Sequence, residues 1–345
     1  MNFNYKKICE SLLKGLPQRT SDVISKRFGL EKEERETLES IGQGYDITRE
    51  RVRQIAEEGF SKIRPRIKEY GKVFQSFHSA LKSCGDLRKE EDFLNLLGGE
   101  KNQNQVYFLL ALNPDFSRFS EDDNFYSFWA RKQEAVGAAK QAVNVTLNMF
   151  QKNRSPLTLD KLYAAEKADL EKGLGKKLNK NAFGSYIEIS KKIQRNPENQ
   201  YGLSGWLEIN PRGIKDKAFL VLKKEGKPLH FTQVASSIEK LPFSSQRKAH
   251  LATVHNELIK DQRFVLVGRG IYALKEWGYE PGVVKDIILK ILKEGKQFLS
   301  KEEIMDKVLK QRLVKPNTVL LNLQDKELFS KNEEGRYGIS SIQES

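Results

Sequence analysis

Four stretches of this chain read as the same object: a strand, a polar or glycine-containing turn, and a second strand with a tyrosine near its start. They span residues 116–129, 191–206, 263–277 and 328–340, and their tyrosines, Tyr126, Tyr201, Tyr272 and Tyr337, stand 75, 71 and 65 residues apart. One hairpin cannot bury a core by itself, so a repeat of this length predicts an array of small modules. Trp129, Trp206 and Trp277 follow the first three hairpins and are expected to pack against a helix of the same module.

Ahead of each hairpin the apolar residues recur with helical spacing. In the third repeat the sets are Ala218-Phe219-Val221-Leu222, then Phe231-Val234-Ile238, then Leu251-Val254-Leu258. In the fourth they are Val284-Ile287-Ile288-Ile291, then Ile304-Val308, then Val319-Leu320-Leu323. Three short helices and a two-stranded hairpin make the winged-helix plan. The expected fold class is therefore mainly α with small β-hairpin wings: an N-terminal helix-turn-helix over 1–70, then winged-helix modules over 71–133, 134–210, 211–279 and 280–345. Proline and glycine at 211–213 and 280–282 punctuate two of the joins.

Charge points to the partner. The 345 residues carry a formal net charge of +14, which favours a polyanion. It is unevenly placed: +3 over 1–70, −3 over 71–130, +6 over 131–210 and +8 over 211–345. The acidic second block is the segment least suited to a phosphate backbone. Two cysteines, Cys9 and Cys84, exclude a disulfide framework. The longest apolar run, 106–112, falls far short of the ~18 residues of a membrane span. A soluble, cytoplasmic and nucleoid-associated protein is expected, with no membrane partner.

Residues 16–64 carry the sharpest signal. A short helix is expected over 37–42, a turn over 44–47, and Thr48 as the N-cap of a second helix, its hydroxyl free to accept an orphan amide. At 100° per residue Val52, Ile55, Ala56, Gly59 and Ile63 form one stripe, with Leu38, Ile41 and Ile47 beneath it. The opposite face carries Glu50, Gln54, Glu57 and Ser61, flanked by Arg53, with Arg49 in the first turn. Arginine pairs bidentately with guanine, glutamine with adenine, and glutamate accepts from cytosine, so this face suits a major groove. Lys62, Arg64, Arg66 and Lys68 follow, suited to phosphates.

This module closely resembles region 4 of sigma-70-type transcription initiation factors. The residues that carry the likeness are Arg27-Phe28-Gly29-Leu30, Thr37-Leu38-Glu39 with Ile41-Gly42, and the run Thr48-Arg49-Glu50-Arg51-Val52-Arg53-Gln54-Ile55. The resemblance implies that Arg49, Glu50 and Gln54 read bases of a promoter −35-like element and that Arg53, Arg19 and Arg27 contact phosphates. It covers about 50 of 345 residues. Glu57 and Glu58 depart from the family, which usually places neutral or basic residues there. Nothing in the chain resembles the family's region 2, so a complete initiation factor is not expected. The same family also docks on the flap of the polymerase beta subunit, which here would use Val23, Ile24 and Phe28.

The third winged module resembles the HARE-type winged helix of the RNA polymerase delta subunit, through GKPLHFTQVASSI and RFVLVGRGIYALKEW. Such modules serve DNA or protein, and both readings stay open. For DNA, Arg247 and Lys248 would open the third helix while Arg263 and Arg269 lie on the wing. In the fourth module Pro316 opens the corresponding helix and offers Lys315, Asn317, Thr318 and Asn322 outward. Lys176, Lys177, Lys180, Lys191, Lys192 and Arg195 form a basic cluster in the second.

Chemistry is not signalled. There is no P-loop, no strand-linked GxGxxG, and His250 and His255 are five residues apart rather than the four that would put two ligands on one helical face. His78 and His230 complete the histidines. No enzyme, cofactor, metal or small-molecule substrate is expected. The expected function is that of a sequence-specific, double-stranded DNA-binding transcription regulator, its winged helices extending the contact. The alternative is an adaptor on core RNA polymerase.

Overall fold

The computed structural model describes residues 3–32, 34–175, 177–243, 249–295 and 298–340. It divides into two compact bodies, 1–205 and 206–345.

The N-terminal body opens with α1 (Tyr5–Leu13), α2 (Gln18–Phe28), α3 (Leu38–Tyr45) and α4 (Arg49–Ile63). Helix α3 runs three residues past the expected 37–42, and the chain reverses at Asp46, which adopts the left-handed conformation at φ 53°. Thr48 caps α4 by accepting from the amide of Arg51 at 3.2 Å. Val52, Ile55, Ala56, Gly59, Phe60 and Ile63 are buried, each large apolar side chain contributing about 1.5–3 kcal/mol when fully removed from water. Gly59 marks the closest approach: a Cβ there would lie 2.7 Å from both Ile24 Cδ1 and Thr20 Cγ2 of α2. A short 3-10 turn over Arg64–Tyr70 leads out.

Two winged modules follow in the same body. The first comprises α5 (Gly71–Ser83), β1 (Leu87–Lys89), α6 (Glu90–Gly98), α7 (Gln103–Leu112), β2 (Ser117–Phe119) and β3 (Phe128–Ala130). The second comprises α8 (Gln133–Asn153), β4 (Leu157–Thr158), α9 (Leu159–Leu174), α10 (Lys180–Glu188), β5 (Ile193–Arg195) and β6 (Gln200–Leu203). Each sheet is antiparallel with the hairpin's second strand in the middle, in the orders β1-β3-β2 and β4-β6-β5. One hydrophobic cluster runs from Tyr5 to Trp129, across the boundary expected at residue 70. Phe28 and Phe60 stack at 5.6 Å, and both meet Phe108 of α7 edge-on, at 5.4 and 5.9 Å.

The C-terminal body repeats the plan twice. Its third module holds α11 (Gly213–Glu225), β7 (Leu229–His230), α12 (Phe231–Glu239), α13 (Leu251–Lys260), β8 (Phe264–Gly268) and β9 (Ile271–Leu274). Its fourth holds α14 (Val284–Gly295), α15 (Lys301–Gln311), α16 (Pro316–Leu323), β10 (Phe329–Lys331) and β11 (Tyr337–Ile339). The two are joined around Arg312, which is 3% exposed. Its guanidinium donates to the carbonyls of Gln311 and Gly282, each at 2.8 Å, and to that of Glu280.

The repeat has a sharper definition than tyrosine spacing. Leu157 pairs with Tyr201, Leu229 with Tyr272, and Leu299 with Tyr337, and in each case the leucine leads into the module's second helix. In the first module the matching pair is Leu87 with Ala130. Tyr126 lies outside the sheet, four residues early, and Trp129 sits inside β3, fully buried, not past the hairpin. The first repeat is thus out of register with the others: an acidic loop at 120–124 lengthens the hairpin and shifts the landmarks.

Candidate nucleic-acid interface

Helix α4 has one buried and one open face. Arg49, Glu50, Arg53, Gln54, Glu57 and Ser61 are exposed, as the periodicity requires. Glu50 and Arg53 form a bidentate pair, with Arg53 Nε at 3.0 Å from Oε2 and Nη2 at 2.9 Å from Oε1. This hydrogen bond holds the Glu50 carboxyl below its ordinary range and the Arg53 guanidinium above its own, so both are charged at neutral pH. Arg51 Nη1 donates to Gln54 Oε1 at 3.1 Å. These exposed contacts are individually weak, and a base edge or phosphate can replace them.

The two acidic departures are compensated. Glu57 accepts from Arg64 Nη1 at 2.9 Å, and Glu58 lies 3.8 Å from Arg51 Nη1. Neither faces solvent as a bare charge. Arg64 also leans on the carbonyl of Leu112 at 3.4 Å, which leaves it a brace as much as a phosphate donor. Lys62 is exposed. Arg19 is exposed and, with Lys26, lies over the Tyr45 ring, at 5.3 and 4.6 Å. Arg27 is half-buried over Phe28 at 5.4 Å.

Arg66 has another task than the sequence suggested. Its guanidinium donates to the carbonyls of Ser11, Leu12 and Lys14, at 2.8–3.0 Å, and so caps the C-terminus of α1. Val23, Ile24 and Phe28 are 0, 0 and 3% exposed. Docking a polymerase through these three would require opening the core, because α2 turns them inward against α4 and α7.

The winged modules differ sharply in what their third helices leave open. No residue of α7 is exposed, and α10 exposes only Lys180 and Asn181 in its first turn. Helix α7 is consumed by the helix-turn-helix, and α10 lies on the β1 edge, where Tyr186 donates to the Gly85 carbonyl at 2.7 Å. The apolar run 106–112 was the available signal, since a helix apolar all round is buried on all sides. In the second module's basic cluster, Lys180 and Lys191 are paired with Asp160 and Glu121 at 2.6 Å, and Arg195 lies 3.9 Å from Glu188; Lys176 lies outside the described residues.

In the C-terminal body α13 exposes Leu251, Thr253, Asn256, Ile259 and Lys260; Arg247 and Lys248 lie outside the described residues. Arg263 does not lie on the wing. It stands at the foot of β8, held by Asp261 at 2.6 Å and Asp216 at 2.9 Å, and these carboxylates keep its charge compensated. Arg269 is exposed at the wing turn, and Lys315 and Asn317 are exposed at the start of α16. Thr318 and Asn322 are half-buried and bonded together, Asn322 Nδ2 to the Thr318 carbonyl at 2.6 Å. Among the described residues no group of His, Cys, Asp and Glu is arranged to hold a metal ion, and no helix is long and apolar enough to cross a membrane.

A capped helix sunk on one side, open and polar on the other, and followed by winged modules defines a helix-turn-helix protein of the DNA-binding, transcription-related class. Comparison with known proteins gives that class its families. Residues 12–65 match the family model for sigma-70, region 4. Residues 212–277 match the HARE-HTH model, a helix-turn-helix domain described from ASXL and restriction endonuclease proteins. Over 78 residues the chain is 40% identical to RNA polymerase sigma factor RpoD of Helicobacter pylori, covering 22% of this chain and 11% of that protein. Over 55 residues it is 44% identical to RNA polymerase sigma factor SigA of a Nostoc species, covering 16% of this chain and 14% of that one. The chain thus spans only a small part of the length of the curated relatives it matches.

Proposed function

We propose that this chain is a sequence-specific, double-stranded DNA-binding transcription regulator in which α4 reads a promoter −35-like element. One observation carries the reading: Arg49, Glu50 and Gln54 share the open face of a helix whose other face is core. In this reading those three contact base edges, while Arg53, Arg19, Arg27 and Lys62 set the register on phosphates. Any winged-helix contribution comes from Arg269, Lys315 and Asn317, because α7 and α10 have no open reading face. The protein acts in the cytoplasm on the nucleoid and uses no cofactor.

The test is selection of bound duplexes from a random pool by the full chain and by its Arg49→Ala variant. An enriched motif that loses one base position in the variant supports the reading; a pool with no enrichment overturns it. Full-length protein is required because the helix-turn-helix shares its core with the first winged module.

A further inference from the structure

The loop between α2 and α3 carries an arginine outside every motif described above. Arg35 is exposed, yet its guanidinium is fixed from behind. It lies 3.9 Å from the centroid of the Tyr107 ring, and its Nε donates to Asn104 Oδ1 at 2.7 Å. Asn104 is itself held, its Nδ2 donating to the Gly29 carbonyl at 3.0 Å. Both anchors belong to α7, the third helix of the first winged module.

We propose that Arg35 is a phosphate-binding residue, positioned by Asn104 and Tyr107, that extends the duplex-contact track of α4 and α2. The proposal rests on the DNA-binding reading above. Stacking occupies one face of the guanidinium and Asn104 takes the Nε–H, so the two terminal amino groups keep their four N–H donors. Among the described residues no carboxylate pairs with Arg35 within 4 Å, whereas Arg53 and the nearby Arg118 are paired with Glu50 and Glu90. Arg27 continues the line: it lies over Phe28, whose ring is 5.8 Å from Tyr107, and its charge is felt by both Tyr107 and Arg53. Arg53, Arg27 and Arg35 thus lead away from the reading helix along the side of the module. In helix-turn-helix docking, the elements ahead of the recognition helix cross the DNA backbone on that side. A guanidinium already held in place loses less freedom on binding a phosphate than a free side chain does. The acidic first winged module then acts as a platform: its third helix, closed to DNA, presents an arginine of the neighbouring module.

The experiment measures binding of the full chain to its selected duplex and to a scrambled duplex over a salt series, for wild type, Arg35→Ala, Arg35→Lys and Arg49→Ala. Arg35→Ala should weaken both duplexes by the same factor and lower the log–log salt slope by about 0.9, the loss of one phosphate contact. Arg35→Lys should restore the slope while binding more weakly than wild type, because the stacked, bonded geometry is lost. Thermal melting of each variant separates these effects from unfolding, which a restored slope in Arg35→Lys also excludes. A wild-type slope in Arg35→Ala overturns the proposal. If Arg49→Ala leaves discrimination between the duplexes unchanged, sequence reading by α4 fails, while a lowered slope in Arg35→Ala still assigns the phosphate contact.

Discussion

The backbone amide of Leu313 donates to the carbonyl of Val267 at 2.7 Å, tying the approach to α16 onto the wing of the preceding module. Gly268 permits this. A Cβ there would lie 2.7 Å from the Leu313 carbonyl oxygen, and a backbone atom cannot swing aside. Val265, Val267 and Ala273 form a second small core on the outer face of this wing. Arg269, at the wing turn, and Lys315, two residues past Leu313, are therefore set by one joint. Gly268→Ala should open it and lower stability by about 1–3 kcal/mol. Denaturant unfolding of the full chain would reveal this, and an unchanged midpoint would show the contact to be slack.

The face of α4 predicts separable mutational effects. Arg49→Ala and Gln54→Ala should each cost about 1–3 kcal/mol at one base pair and little elsewhere. Arg53→Ala should weaken all duplexes about equally. Because Glu50 neutralises Arg53 in the free protein, Glu50→Gln should raise affinity for scrambled duplex while flattening preference at one position. Competition binding on single-substitution duplexes distinguishes these patterns, and equal losses for all four variants would show that α4 does not read bases.

Arg66 tests a structural role against an electrostatic one. Its fork joins three carbonyls at the end of α1, and charged hydrogen bonds of this kind contribute roughly 1.5–3 kcal/mol each in favourable settings. Arg66→Ala should lower the melting temperature and leave the salt slope of DNA binding untouched. Arg66→Lys should recover only part of the stability, since one ammonium cannot reproduce the fork. A fall in slope without a fall in melting temperature would restore the phosphate role read from sequence.

The contrast between Arg53 and Arg66 shows how far sequence carried. The cap at Thr48 and the stripe from Val52 to Ile63 are local, governed by spacing along one helix, and both the open face of α4 and its cap were legible. The same holds for the three helices of each C-terminal module. What Arg66, Arg263 and Val23 do depends on partners 47 to 55 residues away or on a neighbouring helix, and no periodicity announces those. The tyrosine repeat failed in its first copy for a related reason. Strand register is set by pairing, as in Leu87 with Ala130, and a longer hairpin loop moves the aromatic landmark without moving the sheet. The burial of α7 was half-legible: its run of apolar residues announced enclosure on every side but not by what.

Glu166 supplies a prediction independent of nucleic acid. It is buried on α9 and bonded through Oε2 to the Thr146 hydroxyl of α8 at 2.7 Å, while its other oxygen has no hydrogen-bond partner. Burial pushes its carboxyl up to about 7, against an ordinary value of ~4.3 in an unfolded chain. Between those values the folded protein binds more protons than the unfolded one, so stability falls as pH rises through the window and levels off above it. The loss should be on the order of 2 kcal/mol from this one group. Glu166→Gln keeps an acceptor for Thr146 without a charge, so it should flatten the profile between about pH 4.5 and 7 and raise stability at pH 8. Chemical unfolding at half-unit pH steps reads both effects. A variant that tracks wild type across the window would mean that Glu166 ionises freely, with water reaching the α8–α9 contact.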